Sequence, residues 1–109
     1  MTYKAKQGDI IYLDFNPQKG REQRERRPAI IVSNNFFNQL SNLALVCPIS
    51  NVNSDFPLNV ILDKHTKTKG SVLCQHLKSL DLFERNASFI ERIPDHLMQE
   101  VLNIIHSEF

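Results

Sequence analysis

Glycine is scarce in this 109-residue chain: Gly8, Gly20 and Gly70 are the only three, and they stand far apart. A P-loop and a dinucleotide-binding GxGxxG both need clustered glycines, so neither fits. Cysteine is rarer still. Cys47 and Cys74 form no CxxC, which argues against a zinc ribbon, a thioredoxin-type pair or a disulfide framework. Tryptophan is absent. No apolar run approaches the roughly 18 residues of a membrane span, and Met1–Gln7 is polar and basic with no apolar signal core. The net charge is +1 with 23% charged residues, so composition calls for neither disorder nor a nucleic-acid tail. The four histidines make no HExxH or HxH spacing, so neither a metal nor a cofactor is expected. What remains is a single domain spanning 1–109, reduced, cytoplasmic and away from membranes, long enough to bury roughly two thirds of its unfolded surface.

The apolar residues fall in short runs typical of strands. Gly8–Phe15, Pro28–Ser33, Leu43–Ser50, Leu58–Leu62, Ser71–Cys74 and Ser88–Ile93 are each bounded by turn-forming residues. Pro48 inside the third run predicts an edge or a bulge there. Asn34–Asn42 suits a helical turn with Phe36, Phe37 and Leu40 on its apolar side, and Leu77–Phe83 is mixed enough for another short helical turn. Pro94-Asp95 opens a helix whose Leu97, Val101, Ile104 and Ile105 make one apolar stripe. Five or six short strands and a closing helix predict a mainly β, α+β fold: a small, strongly bent antiparallel sheet.

The near-zero net charge hides a dipole. Gln18–Arg27 contains no apolar residue and carries five basic side chains against two acidic ones, whereas Leu82–Phe109 carries five acidic against two basic. The basic loop has two readings. One is a solvated charged turn. The other is a phosphate-contacting loop formed by Lys19, Arg21, Arg24, Arg26 and Arg27, four of whose five cations are the planar, bidentate arginine. Arg27 precedes Pro28, which biases its backbone towards an extended conformation and fixes its direction at the mouth of a strand.

Ser50 ends the longest apolar run. It is either an ordinary turn serine or a hydroxyl donor at the sheet's rim, and no GxSxG surrounds it to suggest a nucleophile. His65 lies in a second basic loop, Asp63–Lys69, where it is a surface side chain, a phosphate contact or an acid–base group. Cys47 and Cys74 read as small hydrophobes. Most of the phenylalanines suit a core better than a base-stacking platform.

Taken in order, Gly8-Asp-Ile-Ile-Tyr-Leu-Asp-Phe-Asn-Pro17, Gly20-Arg-Glu-Gln23, Arg27-Pro-Ala-Ile-Ile-Val-Ser33, Cys47-Pro-Ile-Ser50, Gly70-Ser-Val-Leu-Cys74 and Lys78-Ser-Leu-Asp81 resemble the MazF/PemK family of toxins from type II toxin–antitoxin modules. The resemblance spans nearly the whole chain. It implies an SH3-like antiparallel barrel with a C-terminal helix, a homodimer, and a metal-independent endoribonuclease that cuts single-stranded RNA at short motifs. It also implies an acidic antitoxin of MazE type as partner. Motif by motif, Arg27 and Ser50 fall on the family's catalytic arginine and threonine, and Glu22 on its loop glutamate. Gln23, His76 and Lys78 join the loop cations and His65 as RNA-binding candidates. The chain departs from the family pattern at Ser50, where threonine is usual, and at Gln75-His76. Base preference is the property that the second departure touches.

Two rivals cut no RNA. One is a gyrase-binding toxin of the CcdB kind, whose activity is associated with a tryptophan near the C-terminus. This chain has none and ends Ser107-Glu108-Phe109. The other is an inactive barrel that binds RNA or antitoxin.

Overall fold

The computed structural model describes residues 3–16, 25–52 and 55–109. Among these, seven strands and two α-helices run in the order β1 (Asp9–Asn16), β2 (Glu25–Ile31), α1 (Asn35–Leu40), β3 (Leu43–Ser50), β4 (Asn59–Ile61), β5 (Ser71–Leu73), β6 (Lys78–Asp81), β7 (Ser88–Arg92) and α2 (Asp95–Ser107). A 3-10 turn, Cys74–His76, joins β5 to β6. All pairings are antiparallel. The strand order is β4-β5-β3-β2-β1-β7, with β6 on the free part of β3.

The sheet bends around α2 without closing. Its end strands, β4 and β7, do not pair, so "barrel" describes its curvature rather than its closure. The curvature is visible in the core. Val60 and Leu62 from one end of the sheet share a single cluster with Ile10 and Ile93 from the other, and Leu97, Val101 and Ile105 of α2 fill the space between them. Full burial of such side chains stabilises by about 1.5–3 kcal/mol each, enough to fix a 13-residue helix that opens on Pro94 with no side-chain cap. A second cluster occupies the opposite face: Ile11, Leu13, Ala29, Ile31, Ala44, Val46, Leu80 and Leu82, with Tyr3, Ala5 and Phe15 against it. Period-2 alternation accounts for the division, since Ile10, Ile30 and Cys47 point one way and Ile11, Ile31 and Val46 the other.

Three expectations change. Leu77–Phe83 holds a strand, β6, and the short helical turn lies just before it. β6 forms because Leu80 inserts into the second cluster while its neighbours face out. The phenylalanines are not core residues: none of the seven is fully buried, Phe36, Phe56, Phe83, Phe89 and Phe109 are exposed, and no residue of α1 is buried. The helix is held instead by the Asn34 side chain, which accepts from the Phe37 N–H at 2.8 Å. Pro48, finally, lies at neither an edge nor a bulge. It sits in central β3 opposite Ala29, and on its other side it falls in the gap between β6, which pairs with Leu43–Val46, and β5, which pairs with Ile49 and Ser50. Where no ladder bond is made, a missing N–H costs nothing.

Candidate active site

β2 carries Arg26 and Arg27 side by side, and alternation sends them to opposite faces. Arg26 is occupied. Its guanidinium donates to the Asp14 carboxylate at 3.0 Å, to the Tyr12 carbonyl at 3.2 Å and to the Asn86 carbonyl at 3.1 Å, and it lies 5.0 Å over the Tyr12 ring. Asp14 is buried and also accepts from the Asn86 side chain at 2.9 Å. These bonds tie β1 and β2 to the turn before β7. Arg27 is exposed and pairs across β1 with Leu13, on the face of the second cluster.

Ser50 comes to that same face. β2 and β3 pair as Ala29 with Pro48, Ile30 with Cys47 and Ile31 with Val46. That pairing ends at Pro48, and alternation along β3 puts Ser50 on the face of Pro48 and Val46. Lys78 lies opposite Val46 on the same side, with its ammonium 5.5 Å over the Phe15 ring. By strand parity Arg27, Ser50 and Lys78 share the face of the second cluster, the candidate cationic strip. His76, exposed in the 3-10 turn, is two residues from Lys78. Lys19, Arg21, Glu22, Gln23 and Arg24 lie outside the described residues.

The Ser50 hydroxyl is held in place. Its oxygen accepts from the Val52 N–H at 3.2 Å, which leaves its own proton for a donor role. The Val52 carbonyl in turn accepts from Oγ of Ser71, a buried residue paired with Ser50 across β3 and β5. Gly70 stands against the same backbone at φ +118°, and a Cβ there would lie 1.8 Å from the Ser50 carbonyl oxygen. Gly70 and Ser71, absent from the sequence-based site, pack against and bond to the Ser50–Val52 backbone. The signal for them was a glycine opening a strand, but only the fold shows that it abuts Ser50.

The remaining candidates lie elsewhere. His65 Nδ1 is 3.0 Å from one carboxylate oxygen of Asp63, and His96 Nε2 is 2.9 Å from the other. Burial pushes the Cys74 thiol up to about 12 and the Cys47 thiol higher, so neither is a nucleophile near neutral pH. Burial also raises the Tyr3 phenol, which bonds to Asp9.

An open, curved antiparallel sheet wrapped on a C-terminal helix defines a small α+β protein. The chain belongs to the family of PemK-like, MazF-like toxins of type II toxin–antitoxin systems, whose model matches residues 6–109. It is 31% identical over 86 residues to the endoribonuclease toxin MazF of Escherichia coli K12, covering 79% of this chain and 77% of that protein. It is 32% identical over 99 residues to the Escherichia coli endoribonuclease PemK, covering 87% and 74% of the two chains. A crystal structure of MazE–MazF from Deinococcus radiodurans superposes with a TM-score of 0.89 at 33% identity, over 98% of this chain and 96% of that one.

Proposed function

We propose that the chain is the toxin of a type II toxin–antitoxin module and cleaves single-stranded RNA without a metal. What supports the reading is that Arg27 and Ser50 share one sheet face by strand parity, in a chain similar to named endoribonucleases over most of its length. RNA carries its own nucleophile, the 2′-OH beside the scissile phosphate. Attack by that oxygen forms a new P–O bond and a phosphorane. Departure of the 5′-oxygen then breaks the old P–O bond, leaving a 2′,3′-cyclic phosphate and a 5′-OH. The site must accept the 2′-OH proton, stabilise the doubly charged phosphorane and return a proton to the leaving oxygen.

Arg27 supplies the fixed charge: its planar fork grips two phosphate oxygens as negative charge builds. Ser50 donates its hydroxyl proton to a non-bridging oxygen from a turn that Ser71 and Gly70 hold. Glu22 takes the role of base or orients Arg27. Lys78, His76 and the loop cations Lys19, Arg21 and Arg24, with Gln23, attract and align the strand. Arg26 acts through the network that fixes β2, so it positions Arg27 rather than meeting RNA directly.

Incubation of the purified chain with a long mixed-sequence RNA tests the reading. Discrete fragments are expected and should persist at an undiminished rate in excess EDTA. Loss of cleavage in chelator with recovery in magnesium would overturn the metal-free mechanism, and absence of cleavage would favour the non-enzymatic rivals. The hydroxyl has its own test. Ser50→Ala should lower the single-turnover rate on the order of 10²-fold, as for loss of one transition-state donor, while Ser50→Thr keeps most of it. A wild-type rate in Ser50→Ala would remove Ser50 from the mechanism.

We further infer a homodimer and an acidic antitoxin segment that competes for the cationic strip; structural relatives of this chain include MazE–MazF of Deinococcus radiodurans. Exposed apolar side chains, Phe36, Leu40, Leu43 and Phe83 among them, leave surface that a second copy would cover. Light scattering at micromolar concentration should give twice the chain mass, and a monomer mass would contradict the dimer. An acidic antitoxin peptide should displace RNA, and binding of both together would contradict a shared strip. No helix among the described residues is long and apolar enough to cross a membrane. The cytoplasm is where messenger RNA is met.

A further inference from the structure

Asp63, His65 and His96 are brought together from two parts of the chain outside the Arg27–Ser50 strip. Asp63 and His65 belong to the loop between β4 and β5, and His96 to the first turn of α2. One donor atom from each, a carboxylate oxygen and two imidazole nitrogens, lies within 4.8 Å of the others. The two rings meet edge to face at 5.4 Å, and both are about half exposed, which leaves an open side for water. The Asp63 carboxylate accepts from the backbone N–H of His65 at 2.9 Å, which fixes its direction towards the two rings.

The loop that presents the group is built rather than loose. Thr66 is buried, and its hydroxyl bonds to the Asp63 and Thr68 carbonyls. Glu91 of β7 accepts from the backbone N–H groups of Lys67 and Thr68 at 3.0 and 2.7 Å. Lys69 turns its ammonium onto the Thr66 carbonyl.

We propose that Asp63, His65 and His96 form a binding site for a divalent transition-metal ion of the zinc class, which clips the β4–β5 loop to the start of α2. Two imidazoles and one carboxylate are borderline donors that suit zinc, cobalt or nickel better than magnesium or calcium. An ion with Zn–N and Zn–O bonds of about 2.0–2.2 Å holds neighbouring donors on the order of 3.0–3.4 Å apart. The three donor atoms lie within 4.8 Å of one another, and the two imidazole nitrogens meet different oxygens of Asp63 at 3.0 and 2.9 Å, so side-chain rotations that draw both nitrogens onto one ion complete the site. Water completes the coordination on the exposed side. The ion's role is structural: coordinate bonds replace the local His65–Asp63 hydrogen bond and the one His96–Asp63 bond that joins segments 33 residues apart.

The test is calorimetric titration of the untagged full chain with Zn²⁺, alongside thermal melts. One ion per chain should bind, and saturating Zn²⁺ should raise Tm on the order of 5 °C. His96→Ala and Asp63→Asn should each weaken binding at least about tenfold and abolish the Tm rise, whereas His106→Ala, which removes a histidine far along α2, should leave both unchanged. Circular dichroism establishes that the variants fold. Absence of saturable binding in the wild type would overturn the site. So would equal affinity in folded His96→Ala and Asp63→Asn, leaving a hydrogen-bonded clip in its place. Neither readout depends on RNA cleavage.

Discussion

Arg27→Lys is expected to cost nearly as much cleavage as Arg27→Ala, roughly 10³-fold in the single-turnover rate, the upper end for loss of a preorganised transition-state donor. The reasoning is geometric. Lysine preserves the charge but presents a compact ammonium on a flexible stem, so it attracts the phosphate without bridging two of its oxygens in fixed geometry. A long-range electrostatic role would be rescued by lysine, whereas a transition-state grip would not. Stability should change little, because Arg27 is exposed and a surface polar contact is worth about 0–1 kcal/mol. RNA affinity should fall far less than rate, since ground-state attraction is shared with Lys78 and the neighbouring loop. Single-turnover kinetics beside equilibrium RNA binding separates the two. Arg27→Lys at close to wild-type rate, or rate and affinity falling in equal proportion, would move the catalytic role to another residue.

Gly70→Ala should damage both the fold and the site, although position 70 touches no substrate in this account. Its φ of +118° lies where side chains are strained, and the added Cβ would overlap the Ser50 carbonyl oxygen. Strain of this kind costs about 1–3 kcal/mol, and forcing an extra methyl into a packed contact costs a similar amount. A loss of about 3 kcal/mol or more is expected from denaturant melts. The chain can relieve the overlap only by moving Ser50 and Asn51, so the folded fraction should also cleave more slowly than wild type. Ser71→Ala is the milder companion. It removes the hydroxyl bonded to the Val52 carbonyl and should lower rate more than stability. A stable Gly70→Ala variant with full activity would show that the close approach to Ser50 does not matter.

Much of the fold was legible because its strands are short apolar runs separated by polar turns, and because Leu97, Val101 and Ile105 recur at helical spacing. β6 was not legible: Lys78-Ser-Leu-Asp has one buried residue, and its pairing with β3 supplies what its composition lacks. Pro48 misled because the tolerance depends on a gap between two other strands. For the site, sequence set Arg27 apart from Arg26 by motif and by the proline that follows it, but it could not show where each side chain points. That distinction is one of parity on β2 and needs Asp14 and Asn86 in place. Gly70 and Ser71 act on Ser50 across a strand pairing, and Asp63 meets His96 across 33 residues, distances that no local spacing rule spans.

The central claim is that this chain breaks RNA by turning the substrate's own 2′-OH on the adjacent phosphate. End-group analysis of the fragments tests it most directly. The account predicts 5′-hydroxyl ends that polynucleotide kinase labels without prior dephosphorylation, and 2′,3′-cyclic phosphates at the other side of each cut. Fragments bearing 5′-phosphate and 3′-hydroxyl ends would mean that water was the nucleophile, and would contradict it.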